Sequence, residues 1–323
     1  DGELIRVQRL LTNHGFDDLI VAAVVGANLT KGIRDVAQLA TMCKARQQQI
    51  HSTTRQRAAV DADCFINGPW MGIEHLAIAS RRDGVPMIVK FFRNDQEYHT
   101  MEEIQPVVNP LGDAGFRFVT FNLHGTHEKV GTHGHGEADA RKGVATMTVY
   151  ACTLSNGPPF CFDVIADNTL AIVAALEELH KRGWAHLDIK EGNVFVTNTG
   201  QWVLGDYDAS RKLGEPIKIT SVWCFTEEAG DIFDQKAEPM HDFEMLAALV
   251  AVMFSRCQSG SSGQSTAVYV DEKDHRIVQR DGIRNVRMSK AWRDTQLQEF
   301  GSSCDAAKEV VSMFEEKLDH FKA

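Results

Sequence analysis

The chain has 323 residues and a formal net charge of −10, with 34 Lys and Arg against 44 Asp and Glu. That acidic balance argues against a nucleic-acid or anionic-membrane surface and leaves room for a basic protein partner. Hydrophobic residues make up 43% and no apolar run reaches a membrane span, while seven cysteines without a C-x-x-C pair favour reduced thiols in an intracellular compartment.

Taken in chain order, Leu4, Ile5, Val7, Leu10 and Leu11, then Val36, Leu39 and Met42, recur at helical spacing. They predict a helical N-terminal extension over residues 1–60 that braces the adjoining domain or holds a regulatory partner. Strands are expected near Ala77, near Lys90, over 116–121 and over 144–150, with a helix over 95–108. The glycine-rich stretch 125–135 predicts a mobile surface loop; its alternative is a transition-metal set of His124, His127, His133 and His135. Leu170, Ile172, Val173, Leu176 and Leu179 mark a helix with Gly183 in the C-terminal capping place. Two short strands, 194–196 and 202–204, are joined by a turn at 198–200. A strongly apolar helix spans 240–254, and 258–264 is a Ser/Gly-rich loop. A short strand over 267–270 and a helix carrying Val310, Val311, Phe314, Leu318 and Phe321 close the chain.

The chemistry-bearing stretch is His186-Leu187-Asp188-Ile189-Lys190-Glu191-Gly192-Asn193, followed after the hairpin by Gly205-Asp206-Tyr207-Asp208. An aspartate, then a lysine, an asparagine and a second aspartate at these intervals suits phosphoryl transfer. That reaction asks for positioning and charge neutralisation more than for covalent help. Asp188 would accept a hydrogen bond from an attacking hydroxyl, and Lys190 would neutralise the phosphoryl group in transfer. Asn193 and Asp206, returned to the open end of the hairpin, supply the few hard oxygens that magnesium takes alongside phosphate and water.

At these residues the sequence resembles the eukaryotic protein kinase superfamily, and the likeness extends over residues 63–254. The resemblance implies an α+β, two-lobed protein-kinase-like fold. Its parts are the extension over 1–60, a small β-rich N-lobe over 61–154 and a mainly helical, reduced C-lobe over 155–323. It implies ATP and Mg2+ as cofactors and a protein substrate, with the D-x-K pattern favouring serine or threonine hydroxyls. Lys90 matches the strand lysine that holds the α- and β-phosphates. Glu103, with Glu102 and Glu97 on the same predicted helix, matches its glutamate partner. Residues 151–154 match the hinge that meets adenine. Gly68 and Gly72 fall in the glycine-rich loop, Ile66-Asn67-Gly68-Pro69-Trp70-Met71-Gly72. Asp242 matches the buried aspartate that holds the catalytic-loop backbone, and Glu227 or Glu228 the glutamate that ends the activation segment.

The chain also departs from that pattern. Asn67 and Pro69 stand where glycines let the backbone approach phosphates, and proline lacks an N–H donor. Leu187 replaces an arginine that commonly pairs with an activation-segment phosphate, which disfavours switching through Thr220, Ser221 or Thr226. Asp208 replaces a glycine, and either faces solvent or adds a carboxylate near the metal. Lys90, Asp188, Asn193 and Asp206 are all retained, so catalysis is expected. The alternatives are a pseudokinase serving as a binding or allosteric module, and a kinase-fold transferase acting on a small molecule.

Overall fold

The computed structural model describes residues 21, 24–25, 38–43, 64–70, 73–81, 83–92, 95–124, 144–259, 267–271, 277–278 and 286–319. Most of the predicted extension, Gly72, and His127, His133 and His135 lie outside them. Within the extension, residues 38–43 are helical and bury Leu39 and Cys43. The chain divides into two compact units, one of residues 1–102 and 120–149, the other of residues 103–119 and 150–323.

The first unit is built on β1 (Cys64–Trp70), β2 (Ile73–Arg81), β3 (Pro86–Phe91), β4 (Phe121–His124) and β5 (Val144–Thr148). They form one antiparallel sheet of order β1-β2-β3-β5-β4. Alternate side chains supply its apolar layer: Ala77 and Ala79 from β2, Val89 and Phe91 from β3, with Cys64 and Val144. The β2–β3 turn is closed by Arg81 N–H donating to Val85 O at 2.9 Å, and Gly84 supplies the positive φ of 83° that the turn requires.

The strand expected over 116–121 begins only at Phe121. Val119 N–H donates to Leu204 O at 2.9 Å and Leu204 N–H to Arg117 O at 2.8 Å, which commits the preceding residues to the second unit. The helix expected to end at 108 is α1 (Asp95–Asp113), running through Pro106 and Pro110. Its buried face is Met101, Ile104, Val108 and Leu111, at the three- and four-residue steps of a helix. The two prolines lie on the exposed face, where water can satisfy the carbonyls they leave unbonded.

In the second unit, α2 (Phe162–Lys181) ends as expected: Gly183, at φ 80°, donates its N–H to His180 O at 2.9 Å. The predicted hairpin is β8 (Val194–Val196) with β9 (Trp202–Leu204), and β6 (Cys152–Thr153) pairs beside β8. Asn168 of α2 ties this hairpin down, accepting from Trp202 N–H at 2.7 Å. The apolar helix α3 (Pro239–Ser259) buries His241 to Arg256 without interruption, as a helix hydrophobic on all sides must. After it come β11 (Tyr269–Asp271), β12 (Ile277–Val278) and β13 (Val286–Met288), a three-stranded sheet of order β12-β11-β13. Sequence reading had only its first strand. Among the described residues, α4 (Lys290–Gly301) and α5 (Asp305–Asp319) complete the unit, and no helix is long and apolar enough to cross a membrane. The seven cysteines are free thiols.

Candidate active site

From α2 the chain turns at Gly183 into β7 (Trp184–Ala185), which pairs with β10 (Arg211–Lys212), and then enters the loop 186–193. Asp242, fully buried in the first turn of α3, holds that loop from below. Its Oδ2 accepts from His186 N–H at 2.8 Å and its Oδ1 from Leu187 N–H at 2.7 Å. His180 Nε2 adds a hydrogen bond to Oδ2 at 2.8 Å. Burial alone would raise the Asp242 pKa, but the hydrogen bond from His180 and the Leu187 N–H outweigh it and hold it below 3.8. These bonds also fix Leu187 at φ 63°, a left-handed conformation that costs a non-glycine residue about 1–2 kcal/mol. His186 is fully buried, and burial pushes its pKa below 6.5. The neutral ring donates from Nε2 to Gly205 O at 3.1 Å and accepts at Nδ1 from Asp188 N–H at 3.3 Å.

The Asp188 carboxylate is the hub of the loop. Its Oδ2 accepts from Lys190 Nζ and from Asn193 Nδ2, each at 2.7 Å. Its Oδ1 accepts the Ser221 hydroxyl at 2.5 Å, and Lys190 Nζ in turn donates to Ser221 Oγ at 3.0 Å. Lys190 also lies over the Trp223 ring, 5.7 Å from its centre. A carboxylate arranged to receive a hydroxyl, with an ammonium beside it, has the components needed to activate a nucleophilic alcohol.

Asn193 and Asp206 are brought together by the hairpin. Val194 pairs with Leu204, and Gly205 N–H donates to Asn193 O at 3.0 Å, so Asp206 emerges next to Asn193. Only glycine fits at 205, because a Cβ there would stand 2.7 Å from Val119 Cγ2. Asp206 takes φ 64°, and Tyr207 is locked behind it, its hydroxyl 2.8 Å from Val119 O and 2.9 Å from Leu204 O. Asn193 Nδ2 is committed to Asp188, which leaves the amide oxygen to face a cation. An amide oxygen and a carboxylate are the hard donors that suit magnesium. Among the described residues no cluster of three or more His, Cys, Asp or Glu forms a metal site. His124, from the alternative histidine set, instead hydrogen-bonds Thr146 Oγ1 at 2.8 Å.

Lys90 sits in β3 between Leu76 and Ala145 and is 2% exposed. Of the three glutamates on α1, Glu103 is exposed and pairs with Lys212 Nζ at 2.8 Å, while Glu102 is exposed beside His99. Glu97 is 2% exposed, and it and Lys90 are the buried charged side chains among the described residues of the first unit. Of the three glutamates, Glu97 is thus the one that shares the burial of Lys90, while Glu103 is held on Lys212. Gly68 lies in β1, whose pairing with β2 is irregular at Ile66/Gly68 and Pro69/Trp70. Asp208 is buried at 6% exposure beside Arg211, whose charge it supports, rather than facing solvent.

Comparison of the whole fold places this geometry. The kinase PK-1 of the Cydia pomonella granulovirus superposes with a TM-score of 0.50 and 14% identity, covering 82% of this chain and 97% of that one. The chain has a protein-kinase-like fold. Its sequence is 38% identical over 63 residues to serine/threonine-protein kinase UCNL of Arabidopsis thaliana, covering 20% of this chain and 15% of that protein. It is 34% identical over 70 residues to serine/threonine-protein kinase Nek3 of Mus musculus, covering 22% and 14%. It is 31% identical over 77 residues to serine/threonine-protein kinase mos of Gymnogyps californianus, covering 24% and 37%. The matches thus span well under half the length of these curated relatives. No protein-family model matches the chain.

Several residues bonded to this loop or to the 220–230 segment were not singled out for that place in the sequence, because their partners are distant in the chain. Ser221 is one. Another is Glu244 of α3, which accepts from Thr226 Oγ1 at 2.9 Å and stands 3.6 Å from Arg293. Glu227 and Glu228, expected in a closing role for the activation segment, are exposed and pair instead with the backbone and side chain of Lys290. Arg256 reaches Glu191 of the loop 186–193 at 2.5 Å and Leu154 O at 3.1 Å, binding the predicted hinge to the loop.

Proposed function

We propose that the protein is a divergent protein kinase that transfers the γ-phosphoryl group of ATP, with Mg2+, to a serine or threonine hydroxyl of a protein substrate. The observation that carries this reading is the Asp188 carboxylate, holding Lys190 and Asn193 on one oxygen and receiving a hydroxyl on the other. A substrate alcohol would donate to Asp188 as Ser221 does. Its oxygen bonds the γ-phosphorus, the bond from that phosphorus to the β,γ-bridging oxygen breaks, ADP leaves with the electron pair, and Asp188 takes the proton. Lys190 stabilises the transferring group, Lys90 holds the remaining phosphates, and Glu97 orients Lys90. Magnesium would neutralise the phosphate charge, held by Asn193 and Asp206. The preference for serine or threonine is supported by Lys190 and by the names of the curated relatives.

A second reading, a pseudokinase module, is favoured by Pro69 in β1, which offers no N–H to a phosphate. Thermal shift with ATP, with and without magnesium, separates the two. On the catalytic reading, magnesium-dependent stabilisation is lost in Asp206→Ala. Radiolabelled transfer then falls by about 10²–10⁴-fold in Asp188→Asn while ATP still binds. No shift in wild type or variant overturns the catalytic reading in favour of the module.

A further inference from the structure

The sheet β11–β13 meets the stretch that follows Ser221. Met288 N–H donates to Phe225 O at 2.9 Å, and Thr226 and Met288 form a parallel bridge. One residue earlier, the Arg287 guanidinium, 6% exposed, donates from Nη1 to Val222 O at 3.3 Å and from Nη2 to Gly230 O at 3.1 Å. A single side chain therefore joins both ends of the 222–230 turn. Just beyond β13, Lys290 N–H donates to Glu227 Oε2 at 2.8 Å. The sheet is itself seated on α3: Tyr269, Val286 and Met288 pack on Ala248 and Val252, with Trp223 against the same cluster.

This turn begins where the reactive groups end. Cys224 N–H donates to Ser221 O at 3.0 Å, while the Ser221 hydroxyl joins Asp188 to Lys190. The turn also leaves little for a modifying enzyme to reach. Ser221 and Thr226 are 3% and 2% exposed, Thr226 Oγ1 is bonded to Glu244, and Thr220 Oγ1 donates to Leu187 O at 2.6 Å.

We infer that Arg287 is a positioning residue for Asp188 and Lys190, acting through the 222–230 turn and Ser221, so that this segment is set by strand β13 without a phosphate. The inference rests on the reading of Asp188 as the group that receives the substrate proton. A guanidinium can span two carbonyls because its donors form a rigid planar fork; a lysine ammonium reaches one of them as a point charge.

The test uses the full chain, treated with a protein phosphatase, as wild type, Arg287→Ala and Arg287→Lys. Amide exchange is read at Cys224, Phe225 and Ala229, and steady-state phosphotransfer is read against ATP. The expected result for Arg287→Ala is exchange about tenfold faster at those amides with α2 unchanged, and kcat about tenfold lower with KM for ATP within about twofold. Arg287→Lys should recover part of both; where the alanine variant does not fold, it carries the test alone. Phosphatase treatment should leave the wild-type rate unchanged. Unaltered exchange, a wild-type kcat in the variants, or a rate lost to phosphatase would each overturn the inference. A wild type without turnover would refute the kinase reading instead. The exchange measurement would still decide whether Arg287 holds the turn.

Discussion

The loop 186–193 and the 220–230 segment meet at Asp188 and Ser221, yet their backbones are held differently. The start of the loop rests on one buried carboxylate, Asp242, whose oxygens accept two consecutive backbone N–H groups and a histidine, with Thr220 and Arg256 adding single ties at Leu187 O and Glu191. The segment is held by dispersed bonds from β13, Arg287, the Lys290 backbone and Glu244. Losing a group that carries three bonds strips the start of the loop at once, whereas dispersed ties loosen by degrees. On the proposed reading, the loop carries the groups that act on the hydroxyl, and the segment adjoins them through Ser221.

The largest effect expected is from Asp242→Ala. It strands two buried N–H groups and should cost about 3–5 kcal/mol by urea unfolding. A cost no greater than that of a substitution in the segment would break the contrast. Next comes Glu244→Gln, which weakens one of several ties. It should cost about 1–3 kcal/mol, with Asp294 still paired to Arg293 at 2.9 Å. A larger loss, seen in the same unfolding experiment, would show that the segment too has a dominant anchor.

A third effect sharpens the description of the loop. His186 is held neutral, so below pH 6.5 the unfolded chain takes up a proton that the folded chain refuses, and stability falls as pH drops. Asp242, whose pKa is lowered, contributes fully above 3.8 and loses its contribution only as pH falls through its lower folded value. The loss from His186 therefore begins at a higher pH than the loss from Asp242. Urea midpoints between pH 7.5 and 5 should fall less steeply for His186→Gln than for wild type; parallel curves would contradict the buried neutral ring. The smallest effect is expected from Glu103→Ala, with no change in melting temperature or ATP affinity, because that ion pair is exposed. Loss of ATP affinity in Glu103→Ala but not in Glu97→Ala would overturn the proposal that Glu97 orients Lys90.

What sequence could convey here was local. Leu176 and Leu179 with Gly183 marked the end of α2, the apolar run marked α3, and the interval from Asn193 to Asp206 carried the hairpin that unites them. Asp242 was legible because it opens that apolar helix. Glu97 was passed over because a charge on a helix gives no sign in sequence of which side it faces; burial decided it. α1 continued past 108 because its prolines fell on the wet face. Ser221, Glu244, Arg256 and Arg287 were hidden for a different reason. Each acts on a residue 18 to 102 positions away, a separation that leaves no periodic trace in sequence.

Leu187 has a consequence for what its position can accept. Its side chain is sealed from solvent while its backbone is pinned in the left-handed region. An arginine there would enclose an unpaired guanidinium, a penalty on the order of 3–5 kcal/mol. The position therefore admits a cation only where some other change has first opened it to water.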